Sequence, residues 1–239
     1  MYIFLMVVVL YYMKKLSIVV TAFLLCMSMY AEGKIMSELL YQGHGSYRIR
    51  TSGNFVIYVD PYAGKGYNVP ADLILVTHEH YDHTAVNLVT KKDSWIIRAR
   101  NVLINGKYKT LSIEKIKIQA VPAYNANHNR AECVGFVIWL EDGIKIYASG
   151  DTSYTDYMKD VLSTMKIDYA LLPCDGIFNM DAEEAARCAD IIGAAHAIPV
   201  HTKPGELFDN EVAAKFNAKN RLIMQPGEEI VLERSNAQK

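Results

Sequence analysis

From Gly33 onward the chain alternates hydrophobic and polar residues with a period of two. Residues 38–42, 47–51 and 55–60 read as strands, with turn residues at Gly43, Gly45, Gly53 and Asn54 between them. Residues 72–77 form a short continuous apolar run, the pattern of a strand covered on both faces. Further strands are predicted over 94–99, 102–104, 107–111 and 114–121. Residues 133–140 and 144–149 predict a hairpin turning at Glu141-Asp142-Gly143. The second half brings in helical periodicity. Residues 154–165 place Tyr157, Val161, Leu162 and Met165 on one side. Residues 181–192 open on an N-cap aspartate with glutamates in the first turn, and 206–217 predict a third helix. Residues 168–172, 197–200, 221–224 and 229–232 complete the strands. With no linker or composition break, these elements predict one α/β domain over residues 32–239, a four-layer αββα sandwich.

The N-terminus follows a different pattern. Residues 2–12 are apolar, Lys14 and Lys15 interrupt them, and 16–30 are apolar again before Ala31-Glu32-Gly33. Charged, apolar and small-residue regions in that order are those of a secretory signal peptide. Residues 1–31 are therefore expected to be an export leader, giving a periplasmic protein, or a membrane anchor if retained. Each apolar run is shorter than the roughly 20 residues that span a bilayer. Leu25 before Cys26 is wrong for a lipoprotein acceptor.

Composition narrows the function classes. Of 239 residues 51% are hydrophobic and 21% charged, as in an ordinary globular domain. Lys and Arg number 25 against 26 Asp and Glu, a net charge of -1. The long-range field of a general nucleic-acid binder is missing, so a small-molecule substrate is expected rather than a nucleic acid. Past the leader, Cys133, Cys174 and Cys188 show no Cys-x-x-Cys spacing, which excludes a disulfide framework and a zinc knuckle.

The chemistry concentrates in Thr77-His78-Glu79-His80-Tyr81-Asp82-His83-Thr84, directly after the buried strand. Seven histidines in the whole chain make three in one hexapeptide an improbable accident, and clustered imidazoles call for a cation. His78 and His80 share one side of extended chain. His128 lies in a loop between strands, and Asp151 and His201 end two others. Together these are five imidazoles and two carboxylates, enough for two ions. Imidazole and carboxylate suit zinc, with manganese or iron admissible.

The order His78-x-His80-x-Asp82-His83, His128, Asp151, His201 resembles the metallo-β-lactamase superfamily over nearly all of residues 38–233. The resemblance implies an αββα fold with the site at the sheet edges. It also implies one metal on His78, His80 and His128, another on Asp82, His83 and His201, and Asp151 bridging them. Gly43-His44-Gly45-Ser46, Asp60-Pro61, residues 172–185 and the tail from Gln225 to Glu228 look like the branch that includes ascorbate-6-phosphate lactonase. Asp175 stands where that branch would have a small residue. Asp151 stands where zinc β-lactamases tend to place cysteine, which disfavours antibiotic hydrolysis. The 49 residues between Asp151 and His201 are too few for the added domain of the superfamily's RNA-processing nucleases.

The function implied is hydrolysis of a small ester, lactone or phosphodiester by a hydroxide activated between two divalent ions. Asp82 would orient that hydroxide. His44 is a candidate catalytic acid, equally readable as a hydrogen-bonded strand residue, alongside Asp151 and Tyr81. Tyr81 and Tyr124 are candidate substrate contacts. The competing readings are a non-catalytic metal- or ligand-binding module on the same fold, and a nuclease.

Overall fold

The computed structural model describes residues 36–235; the expected leader over 1–31 lies outside them. The first half builds β1 (Glu38–Gly43), β2 (Ser46–Arg50), β3 (Val56–Val59), β4 (Ala71–Val76) and β5 (Lys91–Arg98). They join β14 (Glu229–Val231) in one sheet of order β14-β1-β2-β3-β4-β5. A second sheet follows from β8 (Thr110–Ile113), β9 (Ile116–Pro122), β10 (Val134–Trp139), β11 (Lys145–Ala148), β12 (Tyr169–Pro173) and β13 (His196–Val200). Its order is β13-β12-β11-β10-β9-β8. A small ribbon of β6 (Leu103–Ile104) and β7 (Lys107–Tyr108) lies outside both sheets. The helices are α1 (Ala99–Val102), α2 (Asp156–Asp160), α3 (Ala182–Ile192) and α4 (Asn210–Lys215).

The alternating strands turn one face of each sheet inward. Ile49, Ile57 and Leu75 of the first sheet and Ile118, Phe136 and Ile146 of the second belong to one buried cluster between the sheets. The other face of the second sheet, with Val137, Tyr147 and Ala170, packs on Ala185, Cys188, Ala189 and Ile192 of α3. The chain is thus an α/β sandwich of the αββα type, with loops in place of a helical layer over the first sheet among the described residues. Loop residues Tyr67, Val69, Val86 and Val89 cover the outer face of the first sheet, over Tyr58 and Ile74. No helix among the described residues is long and apolar enough to cross a membrane.

Several expected elements are shorter or different. The helix expected over 154–165 is only α2 followed by a 3-10 turn, Leu162–Thr164. Ser163 and Thr164 hydroxyls donate to the carbonyls of Lys159 and Val161, a local alternative to the helical ladder. The helix expected over 206–217 starts at Asn210, because Asp209 caps the backbone N–H groups of Glu211 and Val212. Before it, the carbonyls of Glu206 and Leu207 accept from His44 instead of from a helix. The strand expected over 102–104 is the end of α1 plus the short β6, and that over 107–111 breaks into β7 and β8. Residues 221–224 form only an isolated bridge, Arg221 to Ala197.

Candidate metal centre

Strand direction gathers the polar ends. β1, β3 and β4 run the same way, so the segments leaving them emerge at one edge of their sheet. β9, β11, β12 and β13 likewise share a direction in theirs. The first set delivers His44, Asp60 and the stretch 78–83; the second delivers His128, Asp151, Asp175 and His201. Ligand sites of α/β sheets lie outside the carboxyl ends of strands for this reason. His44, Asp60 and His201 hold positive φ of 56°, 44° and 46°, a conformation that non-glycine residues keep mainly where surrounding structure enforces it.

His78, His80 and His128 bring ligand atoms within 4.8 Å of one another, and so do His44, Asp82, His83 and His201. His78, His83 and Asp151 make a third such group that links the first two. Asp151, 4% exposed, lies between them, with Oδ2 at 3.3 Å from His128 Nε2 and 3.4 Å from His201 Nε2 and Oδ1 at 3.5 Å from His83 Nε2.

A divalent cation fits these residues, and the buried nitrogens show why. The His83 Nδ1–H donates to Asp60 Oδ2 at 2.9 Å. The Thr77 hydroxyl also donates to Asp60, at 2.6 Å, so its oxygen accepts from His78 Nδ1 at 3.0 Å. The His128 Nδ1–H donates to Asn125 Oδ1 at 2.9 Å. His201 Nδ1 lies 3.0 Å from Asp175 Oδ2, off the ideal hydrogen-bond direction. With Nδ1 of His78, His83 and His128 hydrogen-bonded, the Nε2 atoms converge, and those of His78, His83 and His201 are buried without a hydrogen-bond partner. Metal-binding histidines are oriented through their second nitrogen in this way.

His44 lies beside them, its Nδ1 2.9 Å from the Glu206 carbonyl and its Nε2 3.1 Å from Asp82 Oδ2. Gly45 beside it leaves room for the His83 ring, since a Cβ there would stand 3.1 Å from His83 Cε1.

The charges follow the geometry. Burial, and then the neighbouring His83, push His78 down to about 2. Burial acts against ionisation of Asp151, but the charges of His83 and His201 outweigh it and hold the carboxyl well below its ordinary range. Asp82 is lowered likewise, the His201 and His44 imidazoles beside it overcoming its burial. Burial lowers His201, but Asp151, Asp175 and Asp82 prevail and raise it to about 9.

A cleft of about 540 Å³ opens over His80, Asp82, His128, Asp151 and His201. Tyr81 lines it and is 72% exposed. His44 is fully buried and is not among the lining residues, which sets it behind Asp82 rather than against a substrate, where a catalytic acid would stand. Tyr124 is not among them either. Its ring lies under the Arg130 guanidinium, 4.9 Å from centroid to carbon, and its backbone N–H is held by Thr152. The sequence pattern passed over Asp60, Thr77, Asn125, Asp175 and Asn179 as functional groups. Asn179 Nδ2 bridges the carboxylates of Asp151 and Asp175 at 2.9 and 2.8 Å. For Asp60, Thr77 and Asp175 the one signal in the sequence is a polar residue just beyond an apolar strand.

Residues 38–201 match the family model described as a beta-lactamase superfamily domain. A metal-dependent hydrolase of Thermococcus onnurineus is 30% identical over 224 residues, covering 81% of this chain and 98% of that one. Among solved structures, a metal-dependent hydrolase from Parabacteroides distasonis is 31% identical with a TM-score of 0.61, covering 77% of this chain and 90% of its own. A metallo hydrolase from Ignicoccus hospitalis shares the fold, with a TM-score of 0.64 at 23% identity over 83% of this chain and 99% of its own.

Proposed function

The chain belongs to the beta-lactamase superfamily, and from that premise we propose that it is a metal-dependent hydrolase of a small ester, lactone or phosphodiester, working with two divalent cations, zinc first among them. The observation that carries the reading is the set of buried, unpartnered Nε2 atoms converging around Asp151. His78, His80 and His128 would hold one cation, Asp82, His83 and His201 the other, with Asp151 shared between them. Such ions supply Lewis acidity and bring the ionisation of water to near pH 7.

The chain's own residues do the rest. The Asp82 carboxylate lines the cleft and would orient the attacking water by accepting a hydrogen bond from it. His44 positions Asp82 through Nε2, and the Glu206 carbonyl fixes its ring. Asp60 and Asp175 hold His83 and His201, while Asn179 orients Asp151. The leader read over residues 1–31 would place this activity outside the cytoplasm.

The test is elemental metal content of the purified full chain beside Asp151→Ala and His80→Ala, followed by an ester, lactone and phosphodiester panel. About two ions per chain are expected, fewer in either variant, with turnover lost to chelator and restored by zinc or manganese. A parent that takes up neither metal, or a fully active His80→Ala variant, would overturn the assignment.

A further inference from the structure

Apart from the imidazoles and carboxylates already assigned, the cleft is lined by Glu79, Asn127, Tyr81, Phe178 and Pro204. Among the described residues, no lysine or arginine lines it. Of the cations nearby, Arg98 and Arg100 pair with Glu79 at 2.6 and 2.8 Å, Lys203 pairs with Glu206 at 2.6 Å, and Arg130 lies over the Tyr124 ring outside the cleft lining. Arg100 does line a neighbouring cavity of about 410 Å³ beyond His80, but Glu79 and Glu132 line that cavity too. Among the described residues, neither space is lined by an unmatched cation for a phosphate or carboxylate tail.

What the cleft does offer is exposed aromatic surface. Tyr81 is 72% and Phe178 49% exposed, and Ile177 beside Phe178 is 64% exposed. Exposed apolar side chains grouped at a cleft mark a contact surface. The segment that carries Phe178 is firmly braced. Asp175 Oδ1 accepts from the backbone N–H groups of Ile177, Phe178 and Asn179 at 2.6, 2.7 and 3.3 Å. The Phe178 carbonyl accepts from Asn125 and Asn127 side-chain amides at 2.9 and 3.1 Å. Asp175 and Asn125 also hold His201 and His128, so the aromatic shelf and the imidazoles share one set of supports. A ring held in water by so many backbone contacts is set to receive an apolar group.

Resting on the hydrolase reading above, we propose that Tyr81 and Phe178 form an apolar clamp selecting an uncharged substrate. The group it carries beyond the reacting bond is alkyl or aromatic, not phosphorylated or carboxylated. Asp175 is the positioning residue of the shelf.

The probes are hydroxamates, which bind cations without needing turnover, titrated calorimetrically into the zinc-loaded full chain. Hexanohydroxamate should bind about tenfold or more tightly than acetohydroxamate, the gain from burying roughly two methylene groups. It should also outbind the adipic monohydroxamate, whose equally long tail ends in a carboxylate. The chain-length advantage should collapse toward one in Phe178→Ala and Tyr81→Ala and persist in part in Phe178→Leu. These side chains are exposed, so the variants should fold, and circular dichroism checks it. Equal affinity for the two chain lengths in the parent, absence of hexanohydroxamate binding, or preference for the carboxylate tail overturns the clamp. Loss of the hydrolase reading looks different: no ester, lactone or phosphodiester is turned over by the metal-loaded chain, while the hydroxamate preference stands.

Discussion

At the scale of the residue, the imidazoles depend on acceptors set behind them. Asp175 is the informative case, since it occupies a position where the resembling branch suggested a small residue. Here its carboxylate faces His201 Nδ1 and gathers three backbone N–H groups. Asp175→Asn keeps a hydrogen-bonding group but loses the charge, and should weaken metal affinity by about 10- to 100-fold while leaving the fold intact. Competition with a metal-chelating dye reads that loss; unchanged affinity would mean His201 does not depend on it. The thiols make a second prediction. Burial pushes Cys133, Cys174 and Cys188 from an ordinary 9.0 up to about 12. At pH 8 all three stay protonated in the folded chain, so mass-mapped alkylation should find them unmodified until denaturant is added. The sign for stability follows. Between about 9 and 12 the folded thiols hold protons that the unfolded chain has lost, so their contribution is complete below 9 and falls as pH rises through that window.

At the scale of the element, local signals and tertiary demands can be compared directly. α3 was legible because its cap, acidic first turn and apolar face agree. Asp181 accepts from the Glu184 N–H, and the left-handed Gly193 closes the helix. Asp181→Ala should cost about 1 kcal/mol, read as a lower urea midpoint with unchanged slope. The segment 206–209 is the opposite case. It has helical composition, yet it stays irregular because two of its carbonyls serve His44. α2 stops early where Ser163 and Thr164 hydroxyls take carbonyls of the preceding turn. β5 begins at Lys91, earlier than its hydrophobic run, because pairing with β4 is parallel and continues beyond the apolar residues.

At the scale of the whole molecule, a centre assembled from strand ends of both sheets ties their relative placement to whatever it binds. An ion that binds the folded state alone stabilises it by mass action, about 2.7 kcal/mol at a hundredfold excess over Kd. For a domain of this size that corresponds to roughly 5–10 °C in Tm. Calorimetry with and without chelator should show a shift of that order, reversed by zinc; coincident melts would mean the ions do not couple the sheets. The same scale separates what was legible in the amino-acid sequence from what was not. The sandwich class and the residues His78, His80, Asp82, His83, His128, Asp151 and His201 could be read from the chain. Period-two alternation, buried apolar runs and a dense histidine motif are local properties. The placement of His44 behind Asp82, the partners Asp60, Asn125, Asp175 and Asn179, and the withdrawal of Tyr124 from the cleft were decided only by the tertiary structure. Each depends on segments brought together from distant parts of the chain, and no spacing along the sequence records which way a side chain faces once the sheets have packed.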